Sequence, residues 1–208
     1  MNVWSGLFVL RKTGMSAAQA LVQMQKMKTA AAAAEFWASD SVSTYDRHVI
    51  LKQLCFTKHV SHASIASAII AQILQQPDTT RLSCPWVLLL CVTVARTHDP
   101  AYLEQIVRLK SSWTDLSMAV DSNLLFEFSP KGERATAVED TVAWAKSRHF
   151  PYKGEMGEVI RAMILSYAAQ YDSDVVVQGW ERYRDESSFS KRFDLNEREL
   201  SNATLSGY

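Results

Sequence analysis

The chain has 208 residues, 48% hydrophobic and 21% charged, with 22 basic residues balanced by 22 acidic ones. That length and composition suffice for a buried core, as one domain or as a short repeat array. The zero formal charge argues against a dedicated nucleic-acid binder, whose affinity rests on an excess of cations against phosphate, although a local basic face stays open.

Charge is unevenly placed. Residues 1–34 hold Arg11, Lys12, Lys26 and Lys28 and no acid, so the chain from Glu35 onward is net acidic by four. An acid-free, Ala-containing amphipathic start has the composition of a mitochondrial transit peptide, and equally of a lead helix with a polar face. The longest apolar run, around Trp86–Ala95, is interrupted by Thr93 and falls well short of the ~20 residues that a bilayer requires. Cys55, Cys84 and Cys91 lack metal-finger spacing and read as reduced thiols of an intracellular protein.

No Gly occurs between Gly14 and Gly132, and the five Pro, at 77, 85, 100, 130 and 151, sit where turns are expected. This distribution, with little period-2 alternation, predicts an all-α chain of helices punctuated at their ends. In chain order, Ser16 caps a helix running to Ala38, with Ala17, Leu21, Met24 and Met27 on one face. Ser43 or Thr44 caps a helix to about Lys58 with Ile50, Leu51, Leu54 and Cys55 inward. Ser61 caps the next, with Ile65, Ile69, Ile70 and Leu74 inward, stopped at Pro77. Ser83 and Pro85 open a helix that is apolar almost all round, and Asp99-Pro100 opens Ala101–Trp113. Ser122–Phe128 and Glu133–Arg148 form a helical hairpin across a Ser129–Gly132 turn. Val159–Gln170 and Ser173–Asp185 form another, with Ser173 as its cap. A polar tail follows, with one short helix expected near Leu195–Leu200.

Three windows superpose without a gap: Leu88–Ser111, the central hairpin, and Ala162–Asp185, displaced by 36 and 38 residues. Ile106, Val142 and Trp180 then share one place, and Leu109, Ala145 and Tyr183 another, at i and i+3 on the second helix. Stacked hairpins leave such a pattern, because each unit hides its apolar face only against a neighbour. Units are expected at 41–83, 84–120, 121–155 and 156–186, preceded by a segment 1–40 and followed by the tail 187–208.

The last unit, RAMILSYAAQYDSDVVVQGWERY, resembles a pentatricopeptide repeat, with tetratricopeptide repeats as the nearest rival; SNLLFEFSPKGERATAVEDTVAWAKSRHF follows the same outline. The likeness covers about Trp86 to Asp185. It implies a short right-handed α-solenoid in an organelle. In that family a polar residue near the start of the first helix faces the groove and reads a base of single-stranded RNA. The corresponding places here hold Val87, Asn123 and Arg161, so Asn123 and Arg161 are the candidate groove contacts. One base-reading residue in three is a poor code. The neutral charge then favours a protein partner: a non-catalytic accessory subunit of a larger assembly, which the resemblance places in the mitochondrion, with RNA binding as the alternative. A helical-repeat subunit on the F1 head of euglenozoan ATP synthase is similar in size and style.

Cys55, His59 and His62 stand at i, i+4 and i+7, a ligand spacing on one helix, but no fourth ligand follows. His98-Asp99 sits in a turn without a nucleophile, so Asp99 reads as a helix cap. Lys131-Gly132 lacks the rest of a phosphate loop, and Gly154–Glu158 is a loop start. Trp113, Trp144 and Trp180 are either packing or binding aromatics, with Trp180 placed in the core. No catalytic set, cofactor or small-molecule substrate is expected.

Overall fold

Local capping chemistry lays out the first half of the chain. In the computed structural model, which describes residues 15–75, 82–112, 116–128 and 137–184, Ser16 starts helix α1 (Ala17–Lys26) with a capping box. Its hydroxyl accepts from Gln19 N–H, and the Gln19 side chain accepts from Ser16 N–H at 3.0 Å. The expected single helix to Ala38 is instead two. Met27 is extended (ψ 144°), and Thr29 caps a separate α2 (Ala30–Ala38) by accepting from Ala32 N–H at 3.1 Å. The Thr29 hydroxyl offers the backbone an alternative to continuing the helix, and the polar run around it offers no apolar face to oppose the break.

Ser43 caps α3 (Thr44–Phe56) through Asp46 N–H, and Asp46 Oδ1 also accepts from Ala17 N–H at 3.0 Å, tying the starts of α1 and α3. Helix α4 spans His62–Gln75 and α5 spans Cys84–Ala95, with Pro85 in its first turn. Asp99 opens a 3-10 turn, Pro100–Tyr102, by accepting from Ala101 N–H, and α6 (Leu103–Lys110) continues from it. Then come α7 (Leu116–Ala119), a second 3-10 segment (Ser122–Phe128), α8 (Ala137–Lys146), α9 (Gly154–Ala168) and α10 (Ser173–Arg184). Among the described residues there are only helices, turns and loops, so the chain is all-α. No helix among them is long and apolar enough to cross a membrane.

Three further details differ from what the sequence predicts. Gly154–Glu158, expected as a loop before a helix at Val159, is the first part of α9 itself. Ser122–Phe128 has the expected bounds but is a 3-10 segment with all seven residues buried. Asp121 starts it by accepting from Asn123 N–H, and the tighter turn carries side chains inward around its whole circumference. Ser173 does not cap its own helix. Asp172 does, accepting from Val175 N–H at 2.9 Å, while the Ser173 hydroxyl accepts from Val138 N–H and donates to Glu139 at the start of α8. The Ser129–Gly132 turn, Trp113 and the tail helix near 195–200 lie outside the described residues.

The packing follows chain order. Helix α1 lies on α2 and α3, α2 on α4, α3 on α4 and α5, and α4 on α5 and α6. Further on, α5 and α6 both meet α7 and the 122–128 segment, that segment meets α8, α9 and α10, and α8 meets α9 and α10. One continuous set of buried side chains runs from Ala17 to Tyr183. Ile106, Leu109, Ala145, Trp180 and Tyr183 are in it, and Val142 packs on its edge. Ala17, Ala20, Leu21, Met24, Ala33, Ala34 and Trp37 are also in it, so α1 and α2 belong to the folded body. Trp37 closes the α2–α3 corner by donating to Arg47 O at 3.1 Å.

Gly157 answers to a close approach of backbone. A Cβ on Gly157, in the first turn of α9, would stand 2.7 Å from the carbonyl oxygen of Tyr152. The Tyr152 hydroxyl donates to Pro100 O, so that backbone is held. Alanine normally gains about 1 kcal/mol over glycine inside a helix. Here the clash with fixed backbone outweighs that gain, and Gly157→Ala is expected to destabilise by about 1–2 kcal/mol in urea unfolding.

Candidate functional site

A depression lies where the end of α3, the α3–α4 turn and the end of α5 meet. Its volume is about 530 Å³, and its described lining includes Leu54, Cys55, Phe56, Lys58, His59, Val60, His62, Thr93 and Arg96. Thr57 makes the break that opens it: both its N–H and its hydroxyl donate to Gln53 O, leaving its own φ and ψ extended at −112° and 154°. The chain then turns through Val60, whose side chain is 97% exposed.

Arg96 forms the back of the groove. Its guanidinium donates to Cys55 O at 2.6 Å and to Tyr183 O at 2.7 Å, and lies 5.8 Å from the Phe56 ring centre. Cys55 and Tyr183 are each the penultimate residue of a helix, α3 and α10. One cation therefore satisfies terminal carbonyls of two helices and meets the negative ends of both dipoles. The one signal for it in the sequence is an Arg directly after an almost wholly apolar helix.

The helix break also separates the suspected metal ligands. Cys55, His59 and His62 reach one groove, but His59 and His62 leave the face of α3 because the helix ends at Phe56. His59 Nδ1 pairs with Ser61 Oγ at 2.7 Å. His62 Nδ1 lies 3.1 Å from Thr57 O and Nε2 lies 2.8 Å from Gln25 Nε2. A carbonyl only accepts, so His62 carries its proton on Nδ1 and accepts the Gln25 amide at Nε2. No group of three potential metal ligands is assembled among the described residues.

Burial lowers the pKa of His62, opposed by the Thr57 carbonyl, and burial likewise lowers that of His48, which hydrogen-bonds Thr44 O and stacks edge-on to Trp86 at 4.5 Å. A folded-state pKa below the ordinary 6.5 means that the unfolded chain takes up protons first as pH falls. Their contribution is fully present above 6.5 and is lost as pH falls from there through the lowered folded-state values. Melting temperature is expected to fall below pH 6.5, with a shallower slope in His62→Gln; an unchanged slope in that variant would contradict the lowering of the His62 pKa by burial. Cys91 is inert, its thiol pushed up to about 12 by complete burial.

Of the three family-implied base-reading places, two are buried and the third is partly covered. Val87 and Asn123 are buried. Asn123 presses on α10 where a Cβ at Gly179 would overlap its amide, and its Oδ1 is buried without a hydrogen-bond partner. Arg161 is half-buried: it donates to Ala145 O at 2.9 Å and to Glu158 at 3.0 Å, and covers the Phe150 ring at 5.3 Å. Burial in the tight 3-10 turn withdraws Asn123, and C-terminal carbonyl capping of α8 occupies Arg161.

Asp99 caps as expected. His98, at φ 55°, turns to the backbone and carboxylate of buried Glu127, with Nδ1 2.8 Å from the carbonyl oxygen and 3.5 Å from Oε2. Trp180 is core, edge-on to Tyr183 at 5.7 Å, and Trp144 stacks edge-on to Phe150 at 5.0 Å. Lys131-Gly132 lies outside the described residues. No family model, curated protein or solved structure matches the chain.

Proposed function

We propose that the chain is a non-catalytic helical-repeat adaptor, an accessory subunit that binds a larger protein assembly. The observation that supports it most is the agreement between the 36- and 38-residue echo in the sequence and a packing order in which helices meet near neighbours along the chain. Hairpins arranged in that way form a short right-handed solenoid of the pentatricopeptide or tetratricopeptide kind. Such arrays present long surfaces rather than reaction chambers, and they work by docking. The net charge of zero favours a protein surface over phosphate as the partner. A mitochondrial location belongs to the same proposal, supported by the family resemblance and by the acid-free stretch before Glu35. Any processing then falls ahead of Met15, because a cut at residue 34 would remove the core side chains of α1 and much of α2.

Sedimentation of extract from the native source tests the proposal. The 23.4 kDa chain is expected to travel with a much larger, salt-resistant particle that ribonuclease leaves intact. Migration as a monomer would overturn the adaptor reading. A large particle dispersed by ribonuclease would favour RNA binding instead.

A further inference from the structure

We propose that the groove between the α3–α4 turn and the end of α5 is a docking site for the chain's own C-terminal segment. In this arrangement Asp185 and Glu186 face Lys58 and Arg96, and the Phe189 ring sits on the apolar floor. The segment from Asp185 onward lies outside the described residues, but its point of departure does not. Helix α10 ends at Arg184, and Tyr183 O is hydrogen-bonded to Arg96, which lines the groove. The segment therefore leaves α10 at the groove's rim.

Reach, charge and volume agree. Phe189 is six residues beyond Tyr183, and that length of chain extends up to ~20 Å. The described lining holds Lys58 and Arg96, with His59 and His62, and no carboxylate. The first two residues after α10 are both acids, and an aromatic follows three positions later. Leu54, Phe56, Val60 and Ala63 supply apolar surface, and about 530 Å³ accommodates one aromatic ring and its neighbours. A tethered segment meets its site at an effective concentration in the millimolar range, so one ring and two carboxylates suffice for occupancy.

The test uses the full chain with Phe189 replaced by the photoreactive analogue p-benzoylphenylalanine. Irradiation at low protein concentration is expected to give intramolecular crosslinks to peptides containing residues 54–63 or 93–97. Lys58 is exposed, so Lys58→Glu leaves the fold intact and is expected to cut that yield by about fivefold or more at low salt. Adding Asp185→Lys and Glu186→Lys is expected to restore the yield to within about twofold, since the charges are then exchanged. Crosslinks elsewhere on the chain, or between two chains, would overturn the proposal. So would a yield indifferent to Lys58→Glu.

Discussion

Arg96→Met is expected to lower the unfolding free energy by about 2–3 kcal/mol. The methionine keeps most of the aliphatic stem but removes both donors, leaving the carbonyls of Cys55 and Tyr183 to whatever water reaches them. A hydrogen bond from a charged donor contributes about 1.5–3 kcal/mol where it is desolvated, and the half-exposed site discounts the pair from their simple total. Arg96→Lys is expected to recover only part of the loss, because an ammonium lacks the planar fork that spans two acceptors. Equilibrium unfolding in urea measures both variants. A loss under about 0.5 kcal/mol for Arg96→Met would mean that the two helix ends are not held through this cation.

The second large effect is a graded series at the place shared by the three echoing windows. Trp180→Ala is expected to cost about 3–5 kcal/mol and Ile106→Ala about 2–5 kcal/mol, since both side chains are buried and truncation leaves a cavity. Val142 occupies the same place in the central unit but only edges the core, so Val142→Ala is expected to cost less than about 1.5 kcal/mol. The order Trp180, Ile106, Val142 follows burial rather than residue type alone. Equal losses at Ile106 and Val142 would show that Val142 is packed as deeply as Ile106, contrary to its place at the edge of the core.

Much of this architecture was legible from local chemistry. Ser16, Ser43 and Asp99 announced helix starts because a short oxygen-bearing side chain before an apolar period satisfies an orphan N–H. The bounds of Ser122–Phe128 followed from a short apolar run between polar residues, but its 3-10 geometry did not, because burial on every side is a tertiary fact. The break at Thr29 was missed because the Ala run that follows it has high helix propensity, while the polar stretch Gln25–Thr29 with its hydroxyl ended the first helix. The groove was only half visible. Cys55, His59 and His62 drew attention as a ligand spacing, yet the helix break at Thr57 that turns them to other partners is a matter of backbone. Arg96 gave little warning, because its partners stand 41 and 87 residues away and are backbone carbonyls with no side-chain signature. Asn123 was legible as polar, but its burial in the 3-10 segment was not, because depth is set by the elements packed around it.

The functional proposal rests on modules that are stabilised by their neighbours rather than by one shared centre. Native-state hydrogen exchange on Ile106→Ala tests that most directly. Helix α6 meets α4, α7, the 122–128 segment and α9, whereas the main neighbours of α1 and α2 among the described residues, beyond each other, are α3 and α4. The account predicts that amide protection falls in α6 and the elements it touches, while the slowest amides of α1 and α2 keep their wild-type rates. An equal loss of protection in every helix, α1 and α2 included, would contradict it.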